Sequence, residues 1–270
     1  MPRLRLPMPE LPEVETFKRY LGGTSLHQRI IGVDVRDGYV LKNVSASKLA
    51  RRLKGCRFES SRRHGKHLFV RACGDLWVRL HFGMTGSLEY LKRDEQPPKT
   101  ARVIFRFANN RRLVFDDQRK FGEIELIKDA DEFLQRRGIG PDALYIGFSE
   151  FKSVFRTHRG GVKAILLNQK LIAGIGNLYA DEILFRARMH PATEAGRLSD
   201  KDLSGLFRAT RYVLERAIAL KTDFNRLPKS WLLTHRGKRG RCPRCGRALK
   251  SAAIGGRTSW FCAHCQKRVS

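Results

Sequence analysis

Near the C-terminus, Cys242-Pro-Arg-Cys245 and Cys262-Ala-His-Cys265 repeat one C-x-x-C spacing. Two such pairs bring four thiolates to one ion, and four thiolates close a tetrahedral zinc site with no position left for water or substrate. The zinc is therefore structural. A redox dithiol is the other reading of C-x-x-C, and His264, inside the second pair, is a surplus ligand and falls outside the set. Between the pairs, Gly255-Gly256-Arg257-Thr258-Ser259-Trp260-Phe261 reads as a two-stranded hairpin with Arg257 at its tip. The remaining cysteines, Cys56 and Cys73, lie in or beside strand-like runs and are expected as small buried residues.

Upstream, the hydrophobic period changes once. Leu11, Val14, Phe17 and Leu21 fall at helical spacing, Pro12 is acceptable in a first turn, and Gly22-Gly23 is expected to end that helix. Strand-like runs follow: Ile30 to Val35, His67 to Arg71, Leu76 to Phe82, Ser87 to Leu91, Val103 to Phe107, Leu113 to Phe115 and Gly122 to Ile127. Asn109-Asn110 is a hairpin turn between two of them, so the first half reads as an antiparallel sandwich or barrel closed by helices. Gly138-Ile139-Gly140-Pro141-Asp142 breaks the chain, and beyond it the period is helical: Phe151 to Arg156, Val162 to Leu167, Leu178 to Ala187 and Lys201 to Ala219. Ser199 and Asp202 form a capping box for the last helix, and the basic, glycine-broken stretch Lys221 to Gly240 reads as a connector. The expected fold is α+β and multidomain, divided at 9–137, 138–225 and 226–270: a β-sandwich flanked by helices, a helical domain, and a connector with a zinc-ribbon hairpin.

Charge selects the partner. Fifty-four Lys plus Arg against 26 Asp plus Glu leave +28, a surplus that repels itself unless a polyanion is usually near, which points to nucleic acid. No stretch approaches the roughly 18 apolar residues of a membrane span and no secretory core opens the chain, so a cytoplasmic, nucleoid-associated location is expected. Nothing calls for an obligate dimer, and a monomer is expected.

Met8-Pro9-Glu10-Leu11-Pro12-Glu13-Val14-Glu15-Thr16 closely resembles the opening of the formamidopyrimidine-DNA glycosylase and endonuclease VIII family, in which the proline becomes the mature N-terminus. The resemblance implies a DNA-repair enzyme that excises damaged bases and cuts the strand at the abasic site. A free N-terminal proline is a secondary amine with a pKa near 8, nucleophilic yet substantially neutral in the cell. It can attack the anomeric carbon and form an iminium ion, with Glu10 as general acid and base. Alone, Pro9 and Pro12 would be helix-entry prolines.

The resemblance continues through the chain. Arg62-Arg63-His64-Gly65-Lys66-His67-Leu68 looks like the family hairpin with a catalytic lysine, so Lys66 maps to that residue, and Arg257 to the family's hairpin arginine. Leu80-His81-Phe82-Gly83-Met84-Thr85-Gly86 matches the loop with an intercalating methionine, placing His81 and Met84 toward DNA. Asp116-Asp117-Gln118-Arg119-Lys120-Phe121-Gly122 is similar to the loop whose arginine and phenylalanine fill the gap left by a flipped base, which implicates Arg119 and Phe121. The run Leu171 to Glu182 resembles the helix-two-turns-helix element, with Asn177 and, further upstream, Lys163 as candidate phosphate ligands.

Three departures bear on the inference. Met1 to Pro7 precede the match, and an interior proline has an amide nitrogen that cannot be a nucleophile, which implies either a start at Met8 with that methionine removed or an impaired copy. Lys221 to Gly240 does not match the family's base-capping loop. Lys120 stands for an arginine common in the 8-oxoguanine-directed branch, and Thr100 near a position of a DNA-contacting histidine. A catalytically silent lesion binder with a blocked Pro9, and a zinc-ribbon RNA-binding protein, are the competing readings.

Overall fold

Apolar strands in the first half of the chain pair into two sheets with one shared core. In the computed structural model, which describes residues 8–268, the chain order is α1 (Leu11–Thr24), β1 (Ile30–Val35), β2 (Leu41–Lys42), α2 (Ala46–Leu53), β3 (Ser60–His64), β4 (His67–Arg71), β5 (Trp77–His81), β6 (Gly86–Lys92), β7 (Ala101–Phe107), β8 (Arg111–Asp117), β9 (Glu123–Ile127) and α3 (Ala130–Arg136). One sheet has the order β1-β7-β8-β6 and the other β2-β9-β5-β4-β3, all neighbours antiparallel except β2 and β9. Val103, Phe105, Leu113 and Phe115 of the first sheet and Leu68, Val70, Val78, Leu80 and Ile124 of the second belong to one buried cluster, as a sandwich requires. Phe58 meets Phe105 and Phe107 edge-on at 5.5 and 6.0 Å. Asn110, at φ 59°, turns β7 into β8, the conformation that the Asn-Asn pair favours.

The helix α1 passes through Gly22-Gly23 instead of stopping there. Both glycines lie inside the helix, Ser25 N–H still donates to Leu21 O at 2.8 Å, and the chain turns away only at His27, φ 63°. Strand β3 has no apolar alternation to announce it. Ser60-Ser61-Arg62-Arg63-His64 is an edge strand, recruited by its ladder with β4. Cys56 and Cys73 are joined in a disulfide, Cα–Cα 5.2 Å, linking the segment after α2 to the turn between β4 and β5. Pairing of β4 with its neighbours, and not sequence proximity, brings the two sulfurs together.

Beyond Arg137 the elements are α4 (Phe148–Thr157), α5 (Val162–Leu167), α6 (Asn177–Arg186), α7 (Asp200–Ala219), β10 (Lys250–Ile254) and β11 (Arg257–Phe261). The Ser199–Asp202 capping box opens α7. Helix α6 is buried along Tyr179 to Phe185, including Asp181 and Glu182. The Lys221 to Gly240 stretch is more than a connector: Trp231, Leu232 and Leu233 are buried, and Leu233 N–H donates to Glu182 Oε2 at 3.0 Å. The described residues divide into two compact units, one holding Met8, Pro9 and Glu13–Arg137, the other Glu10–Pro12 and residues 138–268. Among the described residues no helix is long and apolar enough to cross a membrane.

Phe58 is 1% exposed and packs edge-on against Phe105 and Phe107 of β7 within the buried cluster of the sandwich. Phe58→Ala is expected to lower stability by about 3–5 kcal/mol, read as a shifted midpoint of guanidinium unfolding followed by circular dichroism.

Candidate active site and zinc centre

Glu10 is wholly buried although it is charged and follows Pro9 directly. Its carboxylate accepts N–H groups from the start of α6: Gly176 at 2.7 Å and Tyr179 at 3.3 Å on Oε2, and Leu178 at 2.8 Å on Oε1. First-turn amides have no intrahelical partner and carry the positive end of the helix dipole, so a carboxylate there is both satisfied and stabilised. A Cβ on Gly176 would overlap the Glu10 carboxyl, and Gly174, at φ 112°, passes its carbonyl to Leu11 N–H at 3.1 Å. The two glycines thus admit Glu10 and Leu11. Pro9 itself is buried.

Lys66 sits, half-buried, in the two-residue turn Gly65-Lys66 between β3 and β4, with Gly65 at φ 54°. Arg63 fixes that turn. Its guanidinium, 1% exposed, reaches Glu15 of α1 at 3.0 Å and Gly65 O at 3.2 Å. Burial pushes the Glu15 carboxyl up, but Lys18, Arg19 and Arg63 outweigh it and hold its pKa below the usual value. Neither Glu15 nor Arg63 is singled out by sequence pattern, because 48 residues separate them.

Met84 and the pair Arg119 and Phe121 lie on two loops of the same unit that share one carboxylate. Buried Asp117 accepts from Thr85 Oγ1, from Arg119 N–H at 3.2 Å and from Gly122 N–H at 2.7 Å. Gly83, at φ 55°, lies so close to the backbone of Phe121 that a Cβ would collide with it. Phe121 is 52% exposed and Arg119 lies over its ring at 5.0 Å. An exposed phenylalanine under a cation is poorly placed for core packing and well placed for a planar partner. His81 is half-buried, and its Nδ1 accepts Gly83 N–H at 3.2 Å. Burial, with Arg79 close by and Glu123 opposing, lowers its pKa to about 4, so the ring is neutral near pH 7.

In the second unit, Lys163 is buried, its ammonium 2.6 Å from Asp181 Oδ1 and in contact with Ser259 Oγ. Asp181 Oδ2 takes Trp260 N–H at 3.0 Å and Arg236 at 3.1 Å, while Asn177 Nδ2 donates to Thr258 O at 2.9 Å. The expected phosphate contacts of Lys163 and Asn177 are thus, in this structure, contacts to the hairpin. Three residues after Arg257 are held by α5 and α6, and Arg257, first residue of β11, is exposed. Asp181 is another residue that sequence reading missed, since an acidic residue inside a helix gives no signal of its own. Neighbouring Glu182 is pushed up to about 7 by burial despite its backbone donors.

The ligand atoms of Cys242, Cys245, Cys262 and Cys265 lie within 4.8 Å of one another, a donor set that fits one structural zinc ion. His264 is not among them. The cluster closes the base of the β10–β11 hairpin.

A β-sandwich, a helical layer opened by a buried glutamate and a four-cysteine ribbon define a multidomain zinc-finger protein. Residues 8–124 match the formamidopyrimidine-DNA glycosylase N-terminal domain, residues 138–227 the formamidopyrimidine-DNA glycosylase H2TH domain, and residues 240–268 the zinc finger found in FPG and IleRS. The formamidopyrimidine-DNA glycosylase of Carboxydothermus hydrogenoformans is 36% identical over 277 residues, covering 96% of this chain and 100% of the relative; that of Pelotomaculum thermopropionicum is 32% identical over 274. Crystal structures of Lactococcus lactis Fpg with DNA carrying N7-benzyl-Fapy-dG, and with DNA containing an AP site, align at TM-scores of 0.88 and 0.87 with 29% and 31% identity, each covering 96% of this chain and 100% of theirs. The chain belongs to the formamidopyrimidine-DNA glycosylase family.

Metal analysis is expected to return about one zinc per chain. Cys262→Ser should lose it together with hydrogen-exchange protection of the β10–β11 amides; a ribbon that stays protected without metal would contradict the site. A second expectation concerns acid stability. His67, half-buried beside His81 with Arg79, His64 and Arg137 near, is held well below its ordinary pKa, chiefly by desolvation. Both imidazoles are neutral when folded, so the unfolded chain takes up protons first. Their contribution is intact above pH 6.5 and is lost as pH falls toward about 4. Thermal unfolding across that window should fall more steeply for the wild type than for His67→Phe.

Proposed function

We propose that this chain is a bifunctional DNA-repair enzyme acting on duplex DNA, excising oxidised bases and cutting the strand at the resulting abasic site. The observation that carries the reading is the Pro9-Glu10 pair, with the Glu10 carboxylate held by three amides of α6. The names of the relatives, and the damaged or abasic DNA in the solved structures that this chain resembles, support it.

In the mechanism, Pro9 at the chain terminus attacks C1′ of the damaged nucleotide, and the base leaves with a proton. Glu10, having taken the proton that the Pro9 nitrogen loses, delivers it to the sugar ring oxygen as the ring opens, which leaves an iminium ion between Pro9 and C1′, while the departing base takes its proton from solvent. Loss of a C2′ proton then expels the 3′-phosphate, and water releases Pro9. Lys66 and Arg257 supply cations to the phosphates and assist proton transfer. Met84, Arg119 and Phe121 occupy the space of the extruded nucleotide, offsetting the few kcal/mol that unstacking costs. His81 and Asn177 face the DNA, and Lys163 serves the same surface through Asp181 and the hairpin. We assign the division of labour to 9–137 for the chemistry, 138–225 for backbone binding and 226–270 for the hairpin, in a cytoplasmic monomer working at the nucleoid.

The test uses protein expressed from Met8, with its N-terminal mass confirmed, alongside protein retaining Met1 to Pro7. Each is incubated with an abasic-site duplex and borohydride. A covalent adduct formed only when Pro9 is terminal is the expected result. If neither protein is trapped while both bind the duplex, the chain is a silent lesion binder.

A further inference from the structure

Four consecutive residues, Gln118 to Phe121, are exposed, so apolar burial cannot order the loop that carries Arg119 and Phe121. Polar contacts do it instead. Arg102 in β7, its side chain 13% exposed, donates through Nε to Asp117 O at 2.7 Å and through Nη2 to Gln118 O at 3.4 Å, the two carbonyls immediately before Arg119. Its third nitrogen, Nη1, meets Asp37 Oδ2 at 3.4 Å. The same Asp37 oxygen takes the ammonium of Lys120, the residue immediately after Arg119, at 2.7 Å, while Oδ1 accepts Tyr39 N–H at 3.0 Å. Lys120 holds a left-handed backbone, φ 59°, which a non-glycine residue keeps only where its surroundings fix it.

We infer that Arg102 and Asp37 are positioning residues that clamp this loop on both sides of Arg119, and so set how Arg119 and Phe121 are presented to the base opposite a lesion. The inference deepens the proposed function and rests on it for the identity of the DNA partner. The planar guanidinium is suited to the task because one rigid fork can hold two carbonyls and a carboxylate at once. Lysine at position 120 fits the same logic, since a single point charge needs one acceptor and Asp37 offers it. Asp37 is kept anionic: Lys120 beside it, with the Tyr39 amide, holds its carboxyl below the ordinary range.

The experiment compares wild type, Arg102→Ala, Arg102→Lys and Asp37→Asn in zinc-loaded, full-length protein starting at Pro9. The duplex carries a tetrahydrofuran abasic analogue with 2-aminopurine opposite it, whose fluorescence reports stacking of that base; nicking of a true abasic site gives kcat and KM. Arg102→Ala and Asp37→Asn are expected to lose most of the fluorescence change and about tenfold in kcat with little change in KM, the size of one charged hydrogen bond. Arg102→Lys should recover part of both, and unfolding midpoints and zinc content should stay at wild-type values. Wild-type fluorescence and kcat in Arg102→Ala would overturn the clamp, as would a kcat loss that merely follows loss of folded protein. Should the wild type change the fluorescence yet never nick, the catalytic reading falls, while the fluorescence of the variants still decides the clamp. A wild type that does neither overturns both.

Discussion

Three backbone amides at the start of α6 converge on the carboxylate of Glu10, and much of the second unit is built outward from that contact. A carboxylate buried without such donors would cost several kcal/mol, so the chain must turn the N–H groups of Gly176, Leu178 and Tyr179 toward it. The turn before the helix delivers them. Gln169 ties it by accepting Gly174 N–H and donating to Leu167 O and Ile175 O. Glu10 is covalently next to Pro9, so the helix terminus also constrains where the proposed nucleophile can go.

From that anchored end, α6 distributes its carboxylates. Asp181, one turn in, takes Lys163, Arg236 and the Trp260 amide, and Glu182 takes the Leu233 amide. Cation contacts continue to the far end, where Arg244 of the ribbon lies 4.1 Å over Phe185. The first unit follows the same rule with Glu15, Asp117 and Glu125, each buried and each engaged by a cation or by backbone donors. Carboxylates are thus drawn inward to organise loops and helix ends. The outward consequence is electrostatic: with several of only 26 acidic residues committed inside, the surface keeps a large share of the +28 surplus, as a DNA-binding role demands.

Periodicity made much of the fold legible. Val162 to Leu167 and Ile30 to Val35 are elements with the bounds expected, because a strong apolar pattern coincides with a Gly-rich or polar boundary. Strand β3 and helices α2 and α3 were not legible in the same way. Arg62 and Arg63 alternate no apolar face, and the two helices are short, with their signal confined to the caps Ser45 and Asp129 and a few buried leucine, alanine and phenylalanine positions. The glycine pair in α1 shows the opposite failure. A glycine permits a helix stop without compelling one, and Leu21, packed in the core, carries the helix past it.

What the sequence determined by itself was chemistry tied to spacing: the four cysteines, the Pro9-Glu10 opening, and the loops bearing Lys66, Met84, Arg119 and Phe121. These are local, because a C-x-x-C pair or a turn places its atoms within a few residues of chain. What only the tertiary structure decided was the set of residues that hold those groups still. Arg63 with Glu15, Thr85 with Asp117, Arg102 with Asp37, Asp181 with Lys163 and the Cys56–Cys73 disulfide each join residues 17 to 65 positions apart. Such partners leave no periodic or spacing signal, since the distance between them is set by strand pairing and helix packing and not by the chain between them.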